Sequence, residues 1–104
     1  MSSPKPARNH FHLALRTVRL AKGLSQEDFS LVSSRTYVSS LERAQKSATL
    51  GKVDELADVL GVHPLTLLTL AYAELGDPAR VDGVFSRVRR ELASMQGHDA
   101  EAAD

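Results

Sequence analysis

The 104-residue sequence contains no cysteine, which excludes disulfides and thiolate metal sites and is compatible with a reducing compartment. It also lacks an apolar run of the roughly eighteen residues a membrane span needs, and shows no apolar stretch behind a basic start that would make a signal peptide. The cytoplasm is therefore the expected location, with no membrane partner. Catalytic constellations are missing too: there is no acid–base pair, phosphate loop or nucleophile beside a base. The serines clustered between Ser30 and Ser40 have no His or Lys base in their segment. His10, His12, His63 and His98 are scattered without carboxylates at ligand spacing, so surface positions are expected rather than a metal site. No enzyme, cofactor or metal is anticipated. The length suits one small domain with an appendage, because a chain of this size builds a single core.

Net charge is absent as well, but its distribution is uneven. Residues 1–52 hold nine Lys or Arg against only Glu27, Asp28 and Glu42, so the acidic excess falls in the second half. A cationic half is the electrostatic footprint expected of a phosphate-binding surface.

That half contains Ser25 to Arg43, reading SQEDFSLVSSRTYVSSLER. Ser25 and Asp28, three apart, form a capping box with Asp in the place usually held by Glu, so a helix should start there. Val32, Ser33 and Ser34 are β-branched or short polar residues that compete for backbone hydrogen bonds. They end this helix and leave Ser34 as the cap of a second one, Arg35 to about Arg43. Val38 and Leu41 share one face of that second helix, whereas Arg35, Thr36, Ser39, Ser40 and Arg43 point elsewhere with hydrogen-bonding groups. Two short helices joined by a tight polar turn form the arrangement that places a helix in the DNA major groove.

From about Leu13 to Leu68 the chain resembles the Cro and lambda-repressor-like, or Xre-type, helix-turn-helix family. The resemblance is carried by LRTVRLAKGLSQED at Leu15 to Asp28, RTYVSSLER at Arg35 to Arg43 and LADVLGVHPLTLL at Leu56 to Leu68. It implies base reading by Arg35, Thr36 and Ser40, with Arg35 pairing bidentately with guanine. It also implies backbone contacts from Gln26, Ser34, Tyr37, Ser39, Arg43 and Lys46. A structural ion pair between Arg19 and Glu42 would fix the first helix against the recognition helix. Two departures stand out. The spacing from Gln26 to Glu42 is about two residues shorter than the commonest family pattern, so the second helix must shorten or the turn tighten. Ala44 stands where the family usually has a glycine in left-handed conformation, so either the helix runs on or the loop is strained.

Elsewhere the signals are local. Residues 1–9, with Pro4 and Pro6, read as a flexible arm whose Lys5 and Arg8 could touch DNA. A first helix should span about His10 to Lys22 and stop at Gly23. Thr49 caps a helix that Gly61 closes, and Pro64 begins a leucine-rich helix reaching Tyr72. Asp77 and Pro78 start another, on which Val81, Val84, Phe85, Val88, Leu92 and Met95 recur at three-to-four spacing. A stripe over two heptads is too long to leave wet, which favours pairing with its copy over packing on its own domain. Residues 97–104, GHDAEAAD, look like a disordered acidic tail.

The expected architecture is all-α: a five-helix lambda-repressor-like domain over residues 10–73 with an added amphipathic helix at 77–96. The expected function is a homodimeric transcription regulator, more a repressor than an activator, bound to double-stranded DNA and so associated with the nucleoid. Two other readings keep the fold. One is an antitoxin-type regulator that clasps a toxin or another regulator as protein partner; the other is an interaction module that has lost DNA binding.

Overall fold

The first helix of the computed structural model, which describes residues 9–102 with side chains through residue 96, is α1, Phe11–Ala21. Ala14, Leu15 and Val18 turn inward at helical spacing. The Asn9 carboxamide oxygen accepts from the Phe11 amide at 3.0 Å, and the His10 amide donates to the Ala71 carbonyl at 2.8 Å. The start of α1 is thereby tied to a helix late in the chain. The arm, with Lys5 and Arg8, lies outside the described residues.

The expected second helix is not an α-helix. It is a single 3-10 turn, Gln26–Phe29, because two fewer residues leave no room for more. The Asp28 carboxylate accepts from the Ser25 amide at 2.6 Å and from its hydroxyl at 3.1 Å. One further turn, closed by the Ser33 amide on the Phe29 carbonyl at 2.8 Å, leads to the next cap. Helix α2, Arg35–Glu42, begins at Ser34, whose hydroxyl accepts from the Tyr37 amide at 3.1 Å. Helix α3, Leu50–Leu60, begins at Thr49, and α4, Pro64–Tyr72, carries proline at its start. His63 is the cap of α4: its Nδ1 accepts from the Leu65 amide at 3.0 Å.

Three of these helices end in the same way. In α1, α2 and α3 a residue just past the end adopts a left-handed conformation, and two amides bond back to carbonyls of the last turn. Gly23 and Gly61 fill that place twice. The third is Ala44, at φ 59°, so the helix stops and the backbone carries the strain.

The core lies between α1, the 3-10 turn, α2, α3 and α4. Phe29, Leu15, Leu41, Leu56, Leu67 and Val38 are its largest fully buried side chains. Phe29 is the reason the four-residue turn holds its place: with no helix length to anchor it, one aromatic ring does so. Beyond Tyr72 a second 3-10 turn, Glu74–Gly76, reverses the chain through three successive residues at positive φ, two of them not glycine. Helix α5, Pro78–Ala102, then runs for 25 residues.

The segment from Gly97, expected as a disordered tail, is helical as far as Ala102. One glycine costs about 1 kcal/mol in a helix, and the alanines and glutamate that follow are strong helix formers. Among the described residues, no helix is long and apolar enough to cross a membrane.

Candidate nucleic-acid interface

Helix α2 divides into two halves. At its far end Glu42, 9% exposed, accepts from Arg19 of α1 in a two-pronged pair, Nε to Oε2 at 2.7 Å and Nη2 to Oε1 at 2.8 Å. The third guanidinium arm donates to the Leu24 carbonyl at 3.0 Å, so Arg19, also 9% exposed, is fully engaged. Hydrogen bonding to Glu42 raises the Arg19 pKa above its ordinary value, with burial opposing and the Glu42 charge adding to it. The stability linked to that raised value is complete below the ordinary arginine pKa and is lost only in strong alkali. Gln26 joins the pair, donating from Nε2 to Glu42 Oε1 at 3.2 Å. A planar fork on a carboxylate fixes direction as well as distance, so this set holds α2 at one angle to α1.

At the near end the side chains are free of the core. Arg35 and Thr36 are exposed on the first turn. Arg35 makes one contact, Nη1 to Glu27 Oε1 at 3.3 Å, between side chains 68% and 70% exposed. Such a pair is worth about 0–1 kcal/mol, so a guanine edge or phosphate competes with it readily. Ser39 and Arg43 continue the same outward side by helical spacing. Arg43 donates from Nε to the Ser39 carbonyl at 3.4 Å, which lays its guanidinium along the outer face of the helix. Ser34 has its oxygen committed to the cap and keeps its hydroxyl proton for an outside acceptor.

Ser40, expected to face a base edge, is buried in this structure. It is 6% exposed, and its hydroxyl donates to the Tyr37 carbonyl at 2.7 Å. Helical spacing puts it one turn beyond Thr36, but the chain doubles back at Ala44 and the Gln45 amide bonds to the Ser40 carbonyl at 2.9 Å. The hydroxyl is spent within its own helical turn, a choice that the helix period does not encode.

Gln26 also changes meaning. A four-residue 3-10 turn has little dipole to offer an anion, so any hold on a phosphate rests on the half-buried carboxamide that Glu42 aims.

One basic residue was missed by the sequence reading. Lys52 of α3 donates from Nζ to the Val32 carbonyl at 2.7 Å and pairs with Glu55 at 3.3 Å. It thus ties the turn before α2 to α3. Its ammonium also lies 5.7 Å from the centre of the Tyr37 ring, with that of Lys46 at 5.5 Å. Two cations on one ring make Tyr37 the floor of a basic patch beside α2. The only sequence signal was a lysine in the first turn of α3, where a cation does not suit the helix dipole and therefore has another task.

The dimer candidates sit apart from this surface. Val81 and Val84 are half-buried where α5 leaves the domain, while Phe85, Val88, Leu92 and Met95 are 42–54% exposed. Among the histidines, the His10 and His12 rings stand 6.3 Å apart. The His98 side chain is outside the described residues.

Residues 15–67, half of the chain, match the family of helix-turn-helix domains. The control protein C.BamHI of Bacillus amyloliquefaciens is 36% identical over 61 residues, covering 56% of this chain and 75% of that protein. A crystal structure of a hypothetical transcription factor, NHTF, from Neisseria is similar at a TM-score of 0.54 and 31% identity. That match covers 65% of this chain and 85% of the other.

Proposed function

This chain belongs to the Xre-type helix-turn-helix family of DNA-binding transcription regulators, and from that premise we propose that it is a homodimeric repressor of an inverted-repeat operator. The observation that carries the reading is the division of α2: Arg35 and Thr36 stand free on its first turn, while Glu42 is clamped at its other end. A base reader needs both halves, because a bidentate contact to guanine discriminates only if the guanidinium arrives in one orientation. Arg35 reads guanine O6 and N7, and Thr36 offers its methyl to thymine or its hydroxyl to a base edge. Ser34, Ser39, Arg43 and Lys46 hold phosphates, with Gln26 and Tyr37 at the margins of the same surface.

Two-fold symmetry sets the half-sites about one helical turn apart, near 34–36 Å. Repression follows from occupancy of the operator. The test is selection of bound duplexes from a random library at two salt concentrations. An inverted repeat enriched at both supports the reading, with affinity falling as salt rises. If no duplex is enriched even at low salt, the chain is an interaction module. Co-purification of a neighbouring gene's product with α5 bound would make it an antitoxin.

A further inference from the structure

Five apolar positions of α5, Val81 half-buried and the other four exposed, follow a strict pattern. Val81, Phe85, Val88, Leu92 and Met95 are spaced by four, three, four and three residues, a coiled-coil seam. The charges around the seam are unequal in their partners. Arg80 pairs with Glu74, and Arg87 with Glu91 four residues on, both at 3.3 Å. Asp82 and Arg89 are exposed and form no ion pair among the described residues. Both follow a seam residue directly, Val81 and Val88, so they share one flank, two turns apart and too far from each other to meet within one helix.

We propose that α5 docks against a second copy of itself, antiparallel, in the register that sets Phe85 against Val88 and Val81 against Leu92 of the partner. This rests on the homodimer reading above and gives it a geometry. In an antiparallel pair the residues flanking one side of the seam face their own kind from the other helix. In this register Asp82 meets Arg89 of the second copy, and the two-fold axis repeats the contact. A parallel pair in register would leave both charges without an opposite. Shifting the antiparallel register by one heptad would set Arg89 against Arg89.

The same register brings Leu92 and Met95 of the second copy beside the start of α5. There a groove of about 440 Å³ lies between α4 and α5, lined by His63, Leu65, Thr66, Thr69, Leu70 and Phe85. A specific interface takes roughly 800 Å² from each partner, more than five half-exposed side chains supply, so the groove is part of the footprint. Leu65, 62% exposed at its rim, is then covered.

The experiment is a charge exchange in the full chain, read by sedimentation equilibrium. Asp82→Arg or Arg89→Asp alone replaces two attractions by two repulsions and weakens the dimer roughly tenfold. The double exchange restores wild-type affinity. Because the chain has no cysteine, Phe85→Cys mixed with Val88→Cys forms a disulfide-linked heterodimer on oxidation, faster than either variant links to itself. A monomer at all concentrations, singles without effect, a double no better than the singles, or preferential self-linking of Val88→Cys would each overturn the proposal. Duplex binding measured on the same proteins separates the two readings. Coupled charges without DNA binding sink the repressor and keep the pairing, whereas DNA binding without coupled charges does the reverse.

Discussion

The two ends of α2, Arg35 and Glu42, are seven residues apart in sequence and opposite in physics. At the Glu42 end a carboxylate receives two arms of one guanidinium, largely out of water, and a half-buried amide. At the Arg35 end a single long ion pair lies open to solvent. A buried pair contributes little net stability against an apolar substitute, yet removing one member is costly, which is how a fold can make an angle non-negotiable. An exposed pair has the opposite property and yields to a better partner at little cost. The helix is rigid where it is mounted and exchangeable where it reads.

The strongest way to break this contrast is Arg19→Met, which leaves Glu42 buried without its partner. The expected loss is about 3–5 kcal/mol of unfolding free energy by urea titration, with most of it recovered in Arg19→Met with Glu42→Leu. The recovered double should fold but bind DNA with weakened sequence preference, because the α1–α2 angle is no longer fixed. If the double reads its operator as sharply as wild type, the clamp has no orienting role.

Arg35→Ala at the other end should leave the melting temperature unchanged and remove about 1–3 kcal/mol of discrimination at one symmetric base position. A uniform loss over all sequences would instead make Arg35 a phosphate contact.

The left-handed turn at Ala44 offers a smaller handle. Ala44→Gly relieves a left-handed alanine, worth about 1–2 kcal/mol, against a glycine entropy cost of about 0.5–1 kcal/mol. The net expectation is a gain of about 0.5–1 kcal/mol with DNA preference intact. A destabilised glycine variant would mean the turn is held by contacts to the alanine methyl.

Smallest of all is Glu27→Gln, which removes an exposed acid beside Arg35. Affinity for any duplex should rise by a few-fold at low salt, within about 1 kcal/mol, and the gain should fade as salt is added.

How much of this was legible in the sequence follows the range of the interactions. Thr49, Gly61 and Pro64 each act within one turn, so the bounds of α3 and the start of α4 came out as the residues predicted. The short spacing after Gln26 announced a curtailed second helix, though not that it would shrink to one 3-10 turn pinned by Phe29. The Arg19–Glu42 pair, 23 residues apart, left no local mark and came through resemblance to known regulators. Lys52 left no signal of its role because its partner is a carbonyl twenty residues away, and Ser40, expected to face a base edge, turns its hydroxyl back on the Tyr37 carbonyl three residues earlier. Nothing in helical period reports either.

One comparison tests the division of α2 directly: the base preferences of wild type, Arg35→Ala and Ser40→Ala on the same selected duplex and its single-position variants. The account predicts that Arg35→Ala loses preference at one position of each half-site, while Ser40→Ala reads every position as wild type does. Loss of base preference in Ser40→Ala, with Arg35→Ala unaffected, would contradict it and move the reading surface to the far end of the helix.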